Sequence, residues 1–173
     1  MWPRKAVLVS TLVSACLTTP AWAADDKPDT PGRIRGGKVV SVDEAKSLLD
    51  KKSAAFFDTR NAPNFGKGHV PGAAIVSYKE KSDFSPTFDG SQDAFELAKL
   101  PAEKGAQVVF YSDGPKGWKS CKAATLAINA GYKNALWMRE GFAGWTARSL
   151  PVAQSSSRKA VQCACATHQS AVG

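Results

Sequence analysis

The sequence predicts an α/β fold with a central, mostly parallel five-stranded sheet and helices on both faces. Two observations lead there. Short apolar runs of strand length recur along the chain, and helical patterns alternate with them at short spacing. That alternation is the signature of parallel strands joined by crossovers, so that both sheet faces are covered. A length of 173 residues is enough for one domain with a real core.

The elements follow in order. Lys38 to Val42 reads as a first short strand. Ser41-Val42-Asp43-Glu44 fits a capping box, in which the serine oxygen and the glutamate carboxylate cover backbone N–H groups at a helix start. Val42, Ala45, Leu48 and Leu49 then share one helical face. Ala54 to Phe57 is a second strand, ended by Asp58-Thr59-Arg60. Asn61 to Gly72 is turn-rich and holds His69, and Ala73 to Val76 is a third strand. Glu80 to Gly90 reads as a polar loop. Ser91 to Leu100 reads as a helix with Ala94, Phe95 and Leu97 inward. Gln107 to Tyr111 is the clearest strand. Trp118 or Lys119 to Ala130 forms a helix, with Gly131 placed to end it. Ala135 to Met138 is the fifth strand, and Phe142 to Arg148 a short helix.

The ends of the chain differ from this middle. MWPRK is a basic start, AVLVSTLVSACL a short apolar run, and Ala21-Trp22-Ala23 places small residues at both cleavage positions. Residues 1–23 therefore read as a secretory signal peptide, too short for a membrane span, and the chain is expected to be periplasmic or secreted. Val13-Ser14-Ala15-Cys16 offers a rival, a bacterial lipobox that would lipidate Cys16. No other run is long enough to span a bilayer. Residues 24–37, rich in Pro and Gly, read as a linker, 38–152 as the folded domain, and 153–173 as a loose tail.

Charge and cysteine content narrow the function. Cleavage after Ala23 removes Arg4 and Lys5 and no acids, so the net charge falls by two, from +8 to +6. The lysines are scattered and no nucleic-acid motif accompanies them, which argues against a nucleic-acid partner. Cys121, Cys163 and Cys165 remain, an odd number that cannot form a disulfide scaffold. Cys163-Ala164-Cys165 with His168 is neither a haem motif nor a full metal set, so no metal or cofactor is expected.

Ligands in such sheets bind beyond the carboxyl ends of strands, which points to the turns after Phe57 and after Tyr111. The second turn, Ser112-Asp113-Gly114-Pro115-Lys116-Gly117, opens a helix at Trp118-Lys119. Backbone N–H groups of such a glycine-bearing loop and the positive end of the helix suit an anion.

Phe57-Asp58-Thr59-Arg60 followed by Phe65-Gly66-Lys67-Gly68-His69-Val70-Pro71-Gly72-Ala73 resembles the first signature of the rhodanese domain. Tyr111 with its loop and helix, Gly131-Tyr132, Gly141-Phe142 and Trp145 resemble the second half. The resemblance covers about Lys38 to Val152. It implies a sulfurtransferase fold whose nucleophile is a cysteine at the end of the fourth strand. The loop looks like that of a periplasmic subgroup reading Cys-x-Gly-Pro-Lys-Cys-Trp-Lys-Ser, and against that pattern Ser112 and Gly117 stand where the cysteines would be. Asn64 and Glu140 depart from a usual glutamate and glycine.

A serine hydroxyl is a far weaker acid than a thiol and cannot carry sulfur as a stable persulfide. Sulfur transfer through Ser112 is therefore not expected. The anion site needs no thiol, and Asp113, Gly114, Lys116, Gly117, Trp118, Lys119 and Arg60 are its candidate residues. The partner would be a small sulfur-containing anion or a periplasmic protein. The alternative is an active thiosulfate-type sulfurtransferase or thiol-redox protein that uses Cys121 or the tail cysteines Cys163 and Cys165. In the first turn of the helix the macrodipole would lower the pKa of Cys121, or this residue is simply a small hydrophobe on the inner face. His69, Asp58 and Arg60 read first as structural groups, and Trp137 and Trp145 as core.

Overall fold

The structure, a computed structural model, describes residues 27–155. Five strands form one sheet: β1 (Lys38–Val40), β2 (Ala55–Asp58), β3 (Ala74–Ile75), β4 (Gln107–Tyr111) and β5 (Asn134–Met138). Their order is β1-β5-β4-β2-β3, and every pairing is parallel. The helices are α1 (Val42–Asp50), α2 (Ala62–Lys67), α3 (Trp118–Asn129) and α4 (Gly141–Ala147).

Strand alternation divides the core in two. Val108 and Phe110 of β4 face one side with Phe57 and Trp137, where α3 supplies Cys121, Ala123, Ala124 and Ala127. Val109 and Tyr111 face the other, with Phe56 and Met138, where α1 supplies Val42 and Ala45 and α4 supplies Trp145. Successive strand residues point to opposite faces, so a strand buried on both must read as a continuous apolar run, as Val108–Tyr111 does. Trp137 and Trp145 are fully buried, in agreement with their core assignment.

Local signals place the helix starts. Ser41 Oγ accepts the Glu44 N–H at 3.2 Å, and the Glu44 carboxylate accepts the Ser41 N–H at 2.9 Å, completing the capping box. The turn-rich stretch after β2 contains α2, whose N-cap Asn61 accepts the Asn64 N–H at 2.9 Å and whose first turn carries Pro63.

Two expectations change. Residues 91–100 are not a helix but two single 3₁₀ turns, Gly90–Gln92 and Leu97–Lys99. Between them Ala94 pairs antiparallel with Lys79. The cause is Asp93, whose carboxylate accepts the N–H groups of Lys81 and Ser82 at 2.6 and 2.8 Å and the hydroxyls of Tyr78 and Ser82 at 2.6 Å each. Those partners hold the chain extended there, against the helical period.

The second change is the stretch expected as a linker. Over residues 27–37 it packs on the domain: Ile34 joins the α3-side core and Thr30 is buried. Thr30 donates from N–H and hydroxyl to Pro115 O at 2.9 and 2.6 Å. The expected signal peptide, Cys16, Cys163, Cys165 and His168 lie outside the described residues. No helix among the described residues is long and apolar enough to cross a membrane.

Candidate functional site

The loop after β4 is held from both sides. The carbonyls of Ser112 and Asp113 accept the N–H groups of Phe142 and Ala143, each at 2.8 Å, so the first turn of α4 clasps it. Gly141 makes that approach feasible. Its φ is +60°, and an added Cβ would lie 2.6 Å from Ser112 O and 2.7 Å from Gly114 N. Within the loop Gly117 N–H donates to Gly114 O at 2.7 Å, and α3 starts at Trp118. Gly117 also leaves room for Ser112, since a Cβ there would sit 2.9 Å from Ser112 Cβ and 3.0 Å from its Oγ.

The N-terminal segment forms the outer strap. Besides the Thr30 bonds, the Trp118 indole N–H donates to Pro28 O at 2.8 Å, and Arg139 donates to Thr30 O at 2.8 Å. Trp118 is thereby buried while still lining the cleft.

Loop and strap enclose a cleft of about 410 Å³, lined by Lys27, Glu80 and the run Ser112 to Lys119. Ser112 is 1% exposed, and its Oγ has no hydrogen-bond partner. Among the described residues no base touches this hydroxyl, so none of them activates it as a nucleophile. Glu80 on the opposite element has Lys27 Nζ 3.4 Å from Oε1 and Lys122 Nζ 3.6 Å from Oε2. Lys122 is fully buried; it donates to Ser82 O and Oγ at 2.9 Å each, under the rings of Phe84 and Phe88.

The cleft thus gathers Ser112, Asp113, Gly114, Lys116, Gly117, Trp118 and Lys119 as the sequence predicts. It does not gather Arg60. That guanidinium donates to both Asp58 oxygens and to Gly68 O at 2.6 Å, and lies 4.2 Å from the Phe142 ring centroid. Burial works against its charge, but the Asp58 carboxylate outweighs this and raises its pKa. Arg60 is a tie between β2, the turn at Gly68 and α4. His69 is likewise structural: its Nδ1 lies 2.9 Å from Phe65 O, and its ring stacks on Phe65.

Of the two readings of Cys121, the structure fits the small hydrophobe on the inner face rather than the activated thiol. It is buried on the inner face of α3, and burial pushes its pKa up to about 11, against the pull of Lys122 and Arg139. Among the described residues, no group of three His, Cys, Asp or Glu side chains is placed to hold a metal ion.

Sequence reasoning missed Lys27 and Glu80. Both lie in polar stretches without a motif, and they reach the cleft only through long-range packing. A second hollow, about 520 Å³, lies at the opposite ends of the strands near Lys38, Leu48 and Lys133. Neither buried unpaired atom among the described residues, Glu80 Oε2 or Ser112 Oγ, belongs to it.

A family model, the rhodanese-like domain, matches residues 41–148. The chain belongs to the rhodanese-like domain family. It is 28% identical over 115 residues to the protein YibN of Escherichia coli (strain K12), covering 66% of this chain and 71% of that one. It is also 28% identical over 102 residues to the Homo sapiens thiosulfate:glutathione sulfurtransferase, covering 59% of this chain and 87% of that protein. Among solved structures, the rhodanese-like domain of the Anabaena protein Alr3790 superposes with a TM-score of 0.51 at 20% identity. That match covers 78% of this chain and 92% of that one, and it shows the fold. This rhodanese-like domain is therefore related to sulfurtransferases, and its loop after β4 carries Ser112.

Proposed function

We propose that this rhodanese-like domain binds a small oxyanion in the cleft at the head of α3 and does not carry sulfur. The observation that carries the reading is Ser112 itself: a buried hydroxyl at the strand end, without a partner, lining a cleft. The helix end and Lys116 and Lys119 on the cleft wall favour negative charge. A relative named for thiosulfate and glutathione supports an anion of this size as the occupant. The N-terminal pattern supports an exported protein.

Sulfur transfer would require a thiolate to attack the outer sulfur of thiosulfate. The S–S bond breaks, sulfite leaves with the electron pair, and a persulfide remains. Ser112 supplies no thiolate, and Cys121 is buried with a raised pKa.

The test is a titration of the protein with oxyanions, followed by the fluorescence of Trp118, which lines the cleft. Saturable change in the wild type, weakened in Ser112→Ala, is the expected result. An unchanged signal in a Trp118-reporting protein, with no heat of binding in parallel calorimetry, would overturn the reading.

A further inference from the structure

We infer that the N-terminal strap belongs to the site, with Thr30 as a positioning residue: the docked strap orients the loop that binds the oxyanion, and an oxyanion in the cleft holds the strap down. The inference rests on the reading that the cleft takes an oxyanion. It couples that site to a segment 85 residues earlier in the chain.

The loop by itself leaves one peptide unit loosely set. Gly114 to Gly117 form a turn closed by the Gly117 N–H to Gly114 O bond at 2.7 Å, with Pro115 at its second position. Two turn types share that bond and favour Pro there, and they differ by a flip of the central peptide. Here the central peptide joins Pro115 to Lys116. Lys116 has no positive φ, which excludes the type II form. The strap holds that choice, because Pro115 O accepts the Thr30 N–H at 2.9 Å and the Thr30 hydroxyl at 2.6 Å. In a trans peptide the C=O and N–H point to opposite sides, so fixing Pro115 O also fixes the Lys116 N–H. Lys116 lines the cleft, and its N–H has no acceptor among the described residues. Thr30 therefore sets the direction of a donor on the wall that also carries the unpaired Ser112 hydroxyl.

The strap is built to dock as a unit. Its buried anchors are Thr30 and Ile34, while Asp29, Gly32, Arg33 and Arg35 are exposed. Its other ties run to the same neighbourhood. Pro28 O accepts the indole N–H of Trp118, the first residue of α3, and Thr30 O accepts from Arg139, just ahead of the α4 turn that clasps the loop. A segment with so few buried anchors opens at the low end of a protein's stability range. A ligand that prefers the docked form slows that opening, and docking tightens the ligand by the same factor.

Hydrogen exchange of the Thr30 amide in the full chain, with thiosulfate as the probe, tests this together with calorimetric titration. Without ligand the Thr30 amide is expected to exchange faster than the amides of β4, and saturating thiosulfate to slow it by at least about fivefold. Thr30→Val, which loses the hydroxyl bond to Pro115 O, is expected to bind thiosulfate at least about threefold more weakly, and Thr30→Ser to stay within about twofold of the wild type. Thr30 exchange that is no faster than β4 or unmoved by bound thiosulfate, or a smaller loss in Thr30→Val, would overturn the coupling and leave the oxyanion site standing. Absence of thiosulfate binding in the wild type would overturn both. Should Thr30→Val fail to fold by circular dichroism, the exchange measurement decides alone.

Discussion

Two neighbouring strand ends in this rhodanese-like domain treat their polar atoms in opposite ways. β2 and β4 are paired, Asp58 opposite Tyr111, and Thr59 N–H and hydroxyl both donate to Tyr111 O at 3.0 Å. At the end of β2 every demand is met within the protein: Arg60 is held by Asp58, by Gly68 O and by the face of Phe142. At the end of β4 a buried hydroxyl has no partner, and a cleft lies in front of it. Both ends carry polar residues in a turn, and charge alone does not separate them. Saturation does: the Arg60 end is a structural tie, and the unsatisfied Ser112 hydroxyl facing the cleft is what the proposed oxyanion site rests on.

The strongest way to break this contrast is to open the closed end. Asp58→Ala strips the buried Arg60 of its carboxylate and is expected to cost about 3–5 kcal/mol, read from urea denaturation. A loss below about 1 kcal/mol would mean that the pair is no tie.

Next comes the clasp that positions the open end. Gly141→Ala forces a side chain to φ +60° against Ser112 O and is expected to cost about 2–3 kcal/mol in the same assay. Part of that loss should appear as weaker oxyanion binding, because the loop must shift.

The carboxylate of Asp93 gives a pH-dependent effect. Burial alone would raise the pKa of Asp93, but N–H and hydroxyl donors from Lys81, Ser82 and Tyr78 overcome this and hold it at about 2. The unfolded value is about 3.9. A depressed folded pKa contributes stability above the unfolded value and loses it as pH falls through the folded one. The unfolding free energy should therefore drop between pH 4 and 2, by on the order of 2 kcal/mol from this group. Asp93→Asn should be less stable at neutral pH and flatter across that window.

The smallest effect sharpens the contrast most. Ser112→Ala removes no hydrogen bond and takes away an unpaired buried hydroxyl, so stability should not fall. Oxyanion affinity should still fall by roughly threefold to tenfold, the worth of one hydrogen bond. A large loss of stability would show that the hydroxyl is satisfied inside the protein.

What the sequence disclosed and what it hid follow the same physical line. Periodicity and caps are local, so Gln107–Tyr111, the Ser41 capping box and the Trp118 helix start were all legible. The loop residues from Ser112 to Lys119 were legible too, because a strand end is where such sheets bind ligands. Features set by distant partners were not. Asp93 holds backbone groups of Lys81 and Ser82 and overrides a helical pattern. Thr30 reaches Pro115 across 85 residues, turning an expected linker into a strap. Cys121 shows the limit for chemistry: its place at a helix start left an activated thiol and a buried hydrophobe both open, and only the packing of α3 on the sheet decides for burial.

The central claim is that the cleft binds without transferring sulfur. Intact mass of the reduced protein before and after thiosulfate, with peptide mapping of any added sulfur, tests it most directly. The account predicts no added sulfur in the wild type and one sulfur on residue 112 in Ser112→Cys. A persulfide on Cys121, Cys163 or Cys165 of the wild type would contradict it.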